Sequence, residues 1–221
     1  MFWSRIAGLY DCFENLYNKE VYRNTGKRVA EFIESSDDVL ECACGTGAIS
    51  VWIAERCKTL LATDFSAGML HRAEKKCSSF PNVSFAEADI TKLPYADNQF
   101  DKVVAGNVIH LLEGPKQALD ELWRVTKPGG QIILPTYINK SKRSTGMAIR
   151  FLELLGAEFK QQFDMDTYKA FFRDLGYETV AYQIVDGRMP CAIAVLCKTR
   201  KKLSGGTMHR RHSPPGSLNF L

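Results

Sequence analysis

Short apolar runs alternate with longer amphipathic segments along most of this chain. That rhythm restricts it to a parallel sheet covered by helices. The runs fall at residues 39–42, 59–63, 83–88, 100–106, 131–137, 178–185 and 191–197. The fourth of them ends in Val103-Val104-Ala105-Gly106, which suits a strand buried on both faces. Helical periodicity occupies 13–34, 48–57, 67–77, 116–125 and 167–175. Asn24-Thr25-Gly26 is expected to break the first helix, with Thr25 capping a second one, and Ser66 is expected to cap helix 67–77. Lys127-Pro128-Gly129-Gly130 is expected to part a helix from strand 131–137, in which Pro135 implies a strand end or a distortion. Asp186-Gly187-Arg188 predicts a hairpin turn. The fold class is α/β, a doubly wound, seven-stranded, mostly parallel sheet with an antiparallel C-terminal hairpin strand and helices on both faces.

At 221 residues, 45% hydrophobic and 24% charged, the chain has the size and makeup of one globular domain. That domain is expected over 1–198, with 1–36 as an N-terminal helical cap and 138–165 as an insertion over one end of the sheet. Residues 199–221 are basic, rich in Gly, Ser and Pro, and read as a disordered or extraneous tail. The net charge of +4 is concentrated in that tail, so no nucleic-acid surface is expected. No apolar run reaches membrane-spanning length, and acids and tyrosines stand where a signal peptide needs an apolar block. The expected location is the cytoplasm, as a monomer or homodimer. The seven cysteines follow no framework and are expected to be free thiols. Cys42-x-Cys44 has no matching second pair, so no metal is expected.

Chemistry concentrates in residues 39–50, VLECACGTGAIS. Gly45 and Gly47 let the backbone turn tightly and approach a ligand with no side chain in the way. In an open parallel sheet the loop after the first strand is where ligands bind. GTGAIS also satisfies a loose dinucleotide pattern, with Ser50 as its small third residue. Asp64, ending the second strand, fits either ligand, because a carboxylate there accepts from ribose hydroxyls. Glu41 separates the two. Beside a pyrophosphate its charge is repelled, whereas beside a cation it is favoured. S-Adenosylmethionine carries cationic groups and a ribose, and has no phosphate.

Four segments, VLECACGTG, LLATDFSAGML, AEADITKLPYADNQFDKVVAGNVIHLL and LWRVTKPGGQIILPTY, follow one another across residues 39–137. In that order they resemble the class I S-adenosylmethionine-dependent methyltransferases, in the branch containing the ubiquinone/menaquinone C-methyltransferases. The departure is Ala43, where that family more often has glycine, and a slightly different turn is expected there. The resemblance implies a Rossmann-like fold, S-adenosyl-L-methionine as cofactor and S-adenosyl-L-homocysteine as product. It implies that Glu41, Cys42, Ala43, Gly45, Thr46 and Gly47 surround the methionine portion, with Cys44 near enough to touch it. Asp64 would bind the ribose, and Phe65 and Met69 would flank the adenine. Ala88, Asp89 and Ile90 would meet the adenine edge, Asp89 by accepting from its amino group. Asn107 would supply backbone contacts, and Tyr10 would close over the site.

Each of these residues also has a plain structural alternative. Asp64 could only precede a helix capped by Ser66, and Asp89 could be a turn acid before Thr91. Methyl transfer from a sulfonium needs mainly positioning and exclusion of water. A base is required only if the acceptor must lose a proton. His110, after the fourth strand, is the candidate base or substrate-orienting group, since the ordinary histidine pKa lies near neutrality. Its alternative is a loop histidine bonded to a carbonyl. Tyr10 is the second catalytic candidate, and Tyr17, Tyr22 and Tyr137 are candidates to orient substrate. Lys140, Lys142 and Arg143 form a solvated loop or attract an acidic substrate or membrane phosphates. The expected activity is methylation of a small-molecule acceptor. Competing functions are methylation of a lipid or quinone at a membrane surface, an NAD-dependent oxidoreductase, and a non-catalytic cofactor-binding module.

Overall fold

A computed structural model describes residues 18–139 and 161–199. The predicted apolar runs form β1 (Asp38–Cys42), β2 (Thr59–Asp64), β3 (Val83–Glu87), β4 (Phe100–Ala105), β5 (Thr126–Tyr137), β6 (Val180–Val185) and β7 (Cys191–Cys197). They pair as one seven-stranded sheet in the order β3-β2-β1-β4-β5-β7-β6. Pairing is parallel from β3 through β5, and β7 runs antiparallel between β5 and β6. The chain steps outward from β1 to β3 and then returns to β4. Strand order therefore reverses between β1 and β4, and a crevice opens beyond their carboxyl ends.

Side-chain alternation along the strands builds two cores. Leu40 and Cys42 of β1 join Val103, Ala105, Ile132 and Leu134 on one face. That face is covered by α4 (Pro115–Val125) through Leu119 and Leu122, and by α5 (Met165–Asp174) through Tyr168 and Phe172. Val39 joins Leu60, Ala62, Val104 and Ile133 on the other face. There α1 (Lys19–Ala30), α2 (Ser50–Ala54) and α3 (Ala67–Lys76) supply Val29, Ile53 and Leu70. Among the described residues no helix is long and apolar enough to cross a membrane.

Several local expectations change. The first helix is not broken at 24–26, because Gly26 is there for contact. A β-carbon on it would run into the Trp52 ring, so the glycine lets α1 close onto α2. Thr25 is buried facing the Cys191 thiol and caps nothing. The helix expected over 48–57 is only the five residues of α2, because turn conformation persists past Gly47. Ser66 stands at the N-cap of α3 but makes no cap hydrogen bond with its side chain. Residues 127–130 do not end the pairing. Phe100 pairs with Thr126 and Lys102 with Gln131, so those four residues bulge outward within β5. Gly129 donates to the Lys198 carbonyl at 2.6 Å, and Lys198 donates back to Gly130 at 2.9 Å, closing the bulge onto the chain beyond β7. Pro135 lies past the last β4 partner, Ile133, but β5 runs on to Tyr137 and Pro135 stays in register with Ile193 of β7, so the expected strand end or distortion is not found there. Residues 1–17 of the expected cap, 140–160 of the expected insertion and 200–221 of the expected tail lie outside the described residues.

The bulge is tight at Gly130. A β-carbon there would approach the Asp101 carbonyl oxygen to 2.5 Å, a backbone contact that cannot rotate away. Gly130→Ala is expected to lower the unfolding free energy by about 1–3 kcal/mol. Urea denaturation measures it, and an unchanged midpoint would contradict the bulge geometry.

Candidate functional site

The carboxyl ends of β1, β2 and β4 open onto one cavity of about 350 Å³. Of the residues predicted to bind a cofactor, Glu41, Ala43, Gly45, Thr46, Asp64, Phe65, Met69, Ala88, Asp89, Ile90 and Asn107 line it together. They come from the ends of the strands and from the loops just past them, which explains why residues so distant in sequence converge.

The two loop glycines have different tasks. Gly45, at φ +56, has open space around it, and its N–H donates to Asp64 Oδ2 at 2.9 Å. Gly47, at φ +79, has α3 against it, and a β-carbon would meet the Ala73 Cα at 3.0 Å. Gly47 is therefore a packing glycine and does not line the cavity. Ala43 is left-handed too, at φ 53, in the conformation for which glycine is the usual choice. Asn107 mirrors it at the end of β4, also at φ 53. Asparagine tolerates this region. Here its N–H donates to the Pro135 carbonyl at 2.8 Å, and its Oδ1 accepts from Tyr137 N at 3.1 Å.

Asp64 is more than the residue before a helix. Its Oδ2 holds the glycine loop through Gly45, and its Oδ1 accepts from Ser66 N at 2.9 Å. Burial raises its pKa, against the pull of those N–H groups. Asp89 closes a turn, accepting from Thr91 N at 2.8 Å, and also lines the cavity. Glu41 is 1% exposed, and its Oε2 accepts from Ser50 Oγ at 2.6 Å. Burial pushes its pKa up to about 8, and the neighbouring Asp64 adds to the rise. The standing negative charge predicted for Glu41 is thus absent at neutral pH until a cation comes beside it. Three acids line the cavity, and no lysine or arginine is among its described lining residues.

Of the remaining predicted residues, Cys44 and Tyr22 also line the cavity and the others do not or fall outside the described residues. Cys42 alternates away from Glu41 into the other core, where burial pushes its thiol up to about 12. His110 sits in the 3-10 turn Ile109–Leu111, 7% exposed, and is not among the residues lining the cavity. Burial lowers its pKa to about 4, so its imidazole is neutral at pH 7 and the near-neutral value expected from sequence does not hold. Its carbonyl accepts from Gln161 N at 3.1 Å. Tyr10 and Tyr17 lie outside the described residues, as do Lys140, Lys142 and Arg143. Tyr22 lines the cavity, and its ring lies 6.1 Å from that of Tyr137. Ile49, Val108, Leu111 and Leu112 also line it and were missed, because apolar loop residues carry no motif. Their only signal is position, just past a glycine loop or the end of a central strand. Among the described residues, no group of three or more His, Cys, Asp or Glu side chains is placed to hold a metal ion.

The methyltransferase-domain family matches residues 40–134. A demethylmenaquinone methyltransferase of Renibacterium salmoninarum is 30% identical over 207 residues, covering 82% of this chain and 84% of that protein. The ubiquinone/menaquinone biosynthesis C-methyltransferase UbiE of Bdellovibrio bacteriovorus is 33% identical over 137 residues, which is 60% of this chain and 58% of that protein. Against this second relative the chain spans little more than half the length. Among solved structures, a SAM-dependent methyltransferase from Aquifex aeolicus superposes with a TM-score of 0.64 at 18% identity, over 89% of this chain and 98% of that one. At that identity the likeness is one of fold.

The state of Glu41 makes stability depend on pH. Between 4.5, its ordinary value, and about 8, the folded protein holds a proton that the unfolded chain has lost. In the absence of ligand the unfolding free energy therefore falls as pH rises through that window. Glu41→Gln is expected to flatten this slope in urea titrations. Equal slopes in the two proteins would contradict the buried, protonated carboxyl.

Proposed function

This chain belongs to the class I S-adenosylmethionine-dependent methyltransferases, and we propose that it methylates a small, largely apolar acceptor seated beside Tyr22, Leu111 and Leu112. The observation that carries this reading is the cavity's acidic lining, Glu41, Asp64 and Asp89, with no basic residue among the described ones. A pyrophosphate would meet three acids and no counter-charge, which disfavours a dinucleotide. A sulfonium and an ammonium meet groups ready to ionise beside them.

When bound, S-adenosylmethionine supplies a methyl group on a sulfur that leaves neutral. The chain's own residues bind, orient and keep water out. Glu41 and the loop from Ala43 to Thr46 surround the methionine portion. Asp64, already fixed by two N–H groups, accepts from the ribose hydroxyls with its remaining lone pairs. Phe65, 53% exposed, folds over one side of the adenine, and Met69 and Ile90 floor the other. Asp89 accepts from the adenine amino group, and Asn107 offers backbone. His110, buried, neutral and outside the cavity lining, is not assigned as a general base. The proposed domain spans 1–198 and the proposed location is the cytoplasm.

The apolar acceptor wall and the names of the two relatives support a quinone-type acceptor as the finer assignment. Calorimetry with S-adenosylmethionine, S-adenosylhomocysteine and NADH tests the cofactor. Binding of the first two and not the third is expected, with Asp64→Ala weaker by more than about tenfold while the protein stays folded. Binding of NADH alone would overturn the assignment. Transfer of labelled methyl to a soluble demethylated naphthoquinol tests the acceptor, and its failure alongside intact cofactor binding would reject the quinone.

A further inference from the structure

The segment from 88 to 99, between β3 and β4, brings Ala88, Asp89 and Ile90 to the cavity and has no strand partner of its own. What holds it is one face of α4. Gln117, Glu121 and Arg124 stand at helical spacing, so their side chains share a side. Gln117 Nε2 donates to the Thr91 carbonyl at 3.1 Å. Glu121 Oε2 accepts from Leu93 N at 2.7 Å, and Arg124 Nη2 donates to the Leu93 carbonyl at 2.9 Å. Arg124 Nη1 donates to the Tyr95 carbonyl at 2.7 Å and to Asp97 Oδ1 at 2.8 Å. Thr91 lies in the turn where Lys92 N donates to the Asp89 carbonyl at 3.0 Å, and Leu93 and Tyr95 follow it in an irregular strip. A helix face thus does for this strip what a neighbouring strand does for a ladder.

The row is rigid at its far end and lighter near the cavity. Arg124 Nε and Nη2 both bond Glu121, at 2.7 and 2.8 Å, so the guanidinium is a fixed fork. Its hydrogen bond holds the Glu121 carboxyl below the usual carboxylate range. Leu93 is buried, and the Tyr95 ring packs edge-on against Phe100 at 5.6 Å. The strip's far end is therefore anchored twice, by core and by fork. Nearer the cavity, Gln117 clamps the strip at Thr91, the residue whose N–H and hydroxyl both bond Asp89 Oδ1.

We propose that Gln117, Glu121 and Arg124 are positioning residues that hold Asp89 and Ile90 in place and so set both affinity and selectivity for the purine end of the cofactor. This rests on the adenine-end assignment given under Proposed function. None of the three residues lines the cavity, and each acts through the strip. A lysine at 124 offers no planar fork and does not replace it.

The test compares dissociation constants for S-adenosylhomocysteine and S-inosylhomocysteine, which differ at the group Asp89 meets. The wild type is expected to prefer the adenine form by about tenfold. Arg124→Met and Arg124→Lys should remove most of that preference, and Gln117→Ala, at an exposed position with one bond lost, should reduce it by about two- to fivefold. A purely structural row would lower the melting temperature and leave the preference intact. Combining Gln117→Ala with Asp89→Ala should add little to Asp89→Ala alone. A preference unchanged in both Gln117→Ala and Arg124→Met, while Asp89→Ala loses it, would overturn the positioning role. A preference unchanged in Asp89→Ala would overturn the adenine-end assignment itself, and the positioning role with it.

Discussion

A carboxylic acid buried at the end of the central strand is the constraint on which the rest of the site depends. Glu41 reaches the crevice from β1, flanked by β2 and β4, with the Ser50 hydroxyl donating to its Oε2. An ionised carboxylate in such a place is costly unless something positive sits beside it. Burial answers by keeping the proton, and Asp64 reinforces it. By itself the group is therefore neutral at pH 7, and in the proposed reading a cation beside it would favour its charged form. A permanently charged residue would hold the cavity under strain whenever no ligand was bound.

Around that acid the backbone is shaped at three points. Ala43 and Asn107 take left-handed conformations at the ends of the two strands that border the reversal of strand order. Asn107 also joins β4 to β5 beyond their last paired residues, through Pro135 and Tyr137. Strain of this kind persists only where surrounding bonds over-determine it, and it gathers at functional sites. Asp64 supplies the third point by tying the glycine turn to the start of α3. The walls of the cavity are thus held by hydrogen bonds to backbone, which leaves the remaining polar capacity of the acids for a ligand.

The sheet and its order of elements were legible because burial on two faces writes apolar, β-branched runs into a sequence, as in Val103 and Val104. The acids at strand ends were legible for a similar reason: Glu41 and Asp64 stand where strands open onto a cavity and where a packed core has no use for them. Contacts between distant segments were not. Gly26 looked like a helix break because Trp52, its reason for being glycine, is remote in sequence. The glycines of the bulge looked like a terminus because their partner is Lys198. His110 looked reactive from its type and its place after the fourth strand, while burial decides its pKa. The row on α4 was invisible for the same reason, since its partners are backbone atoms that no residue type announces.

Glu41 is where the account can be examined most directly. Carbon-13 labelling of the glutamate side-chain carboxyl, followed by NMR across pH, reads its ionisation with and without S-adenosylmethionine. The account predicts a midpoint near 8 in the free protein, falling by about 1–3 pH units when the cationic ligand saturates the cavity. An ordinary midpoint near 4.5 in the free protein, or a midpoint that saturating ligand leaves unmoved, would contradict it.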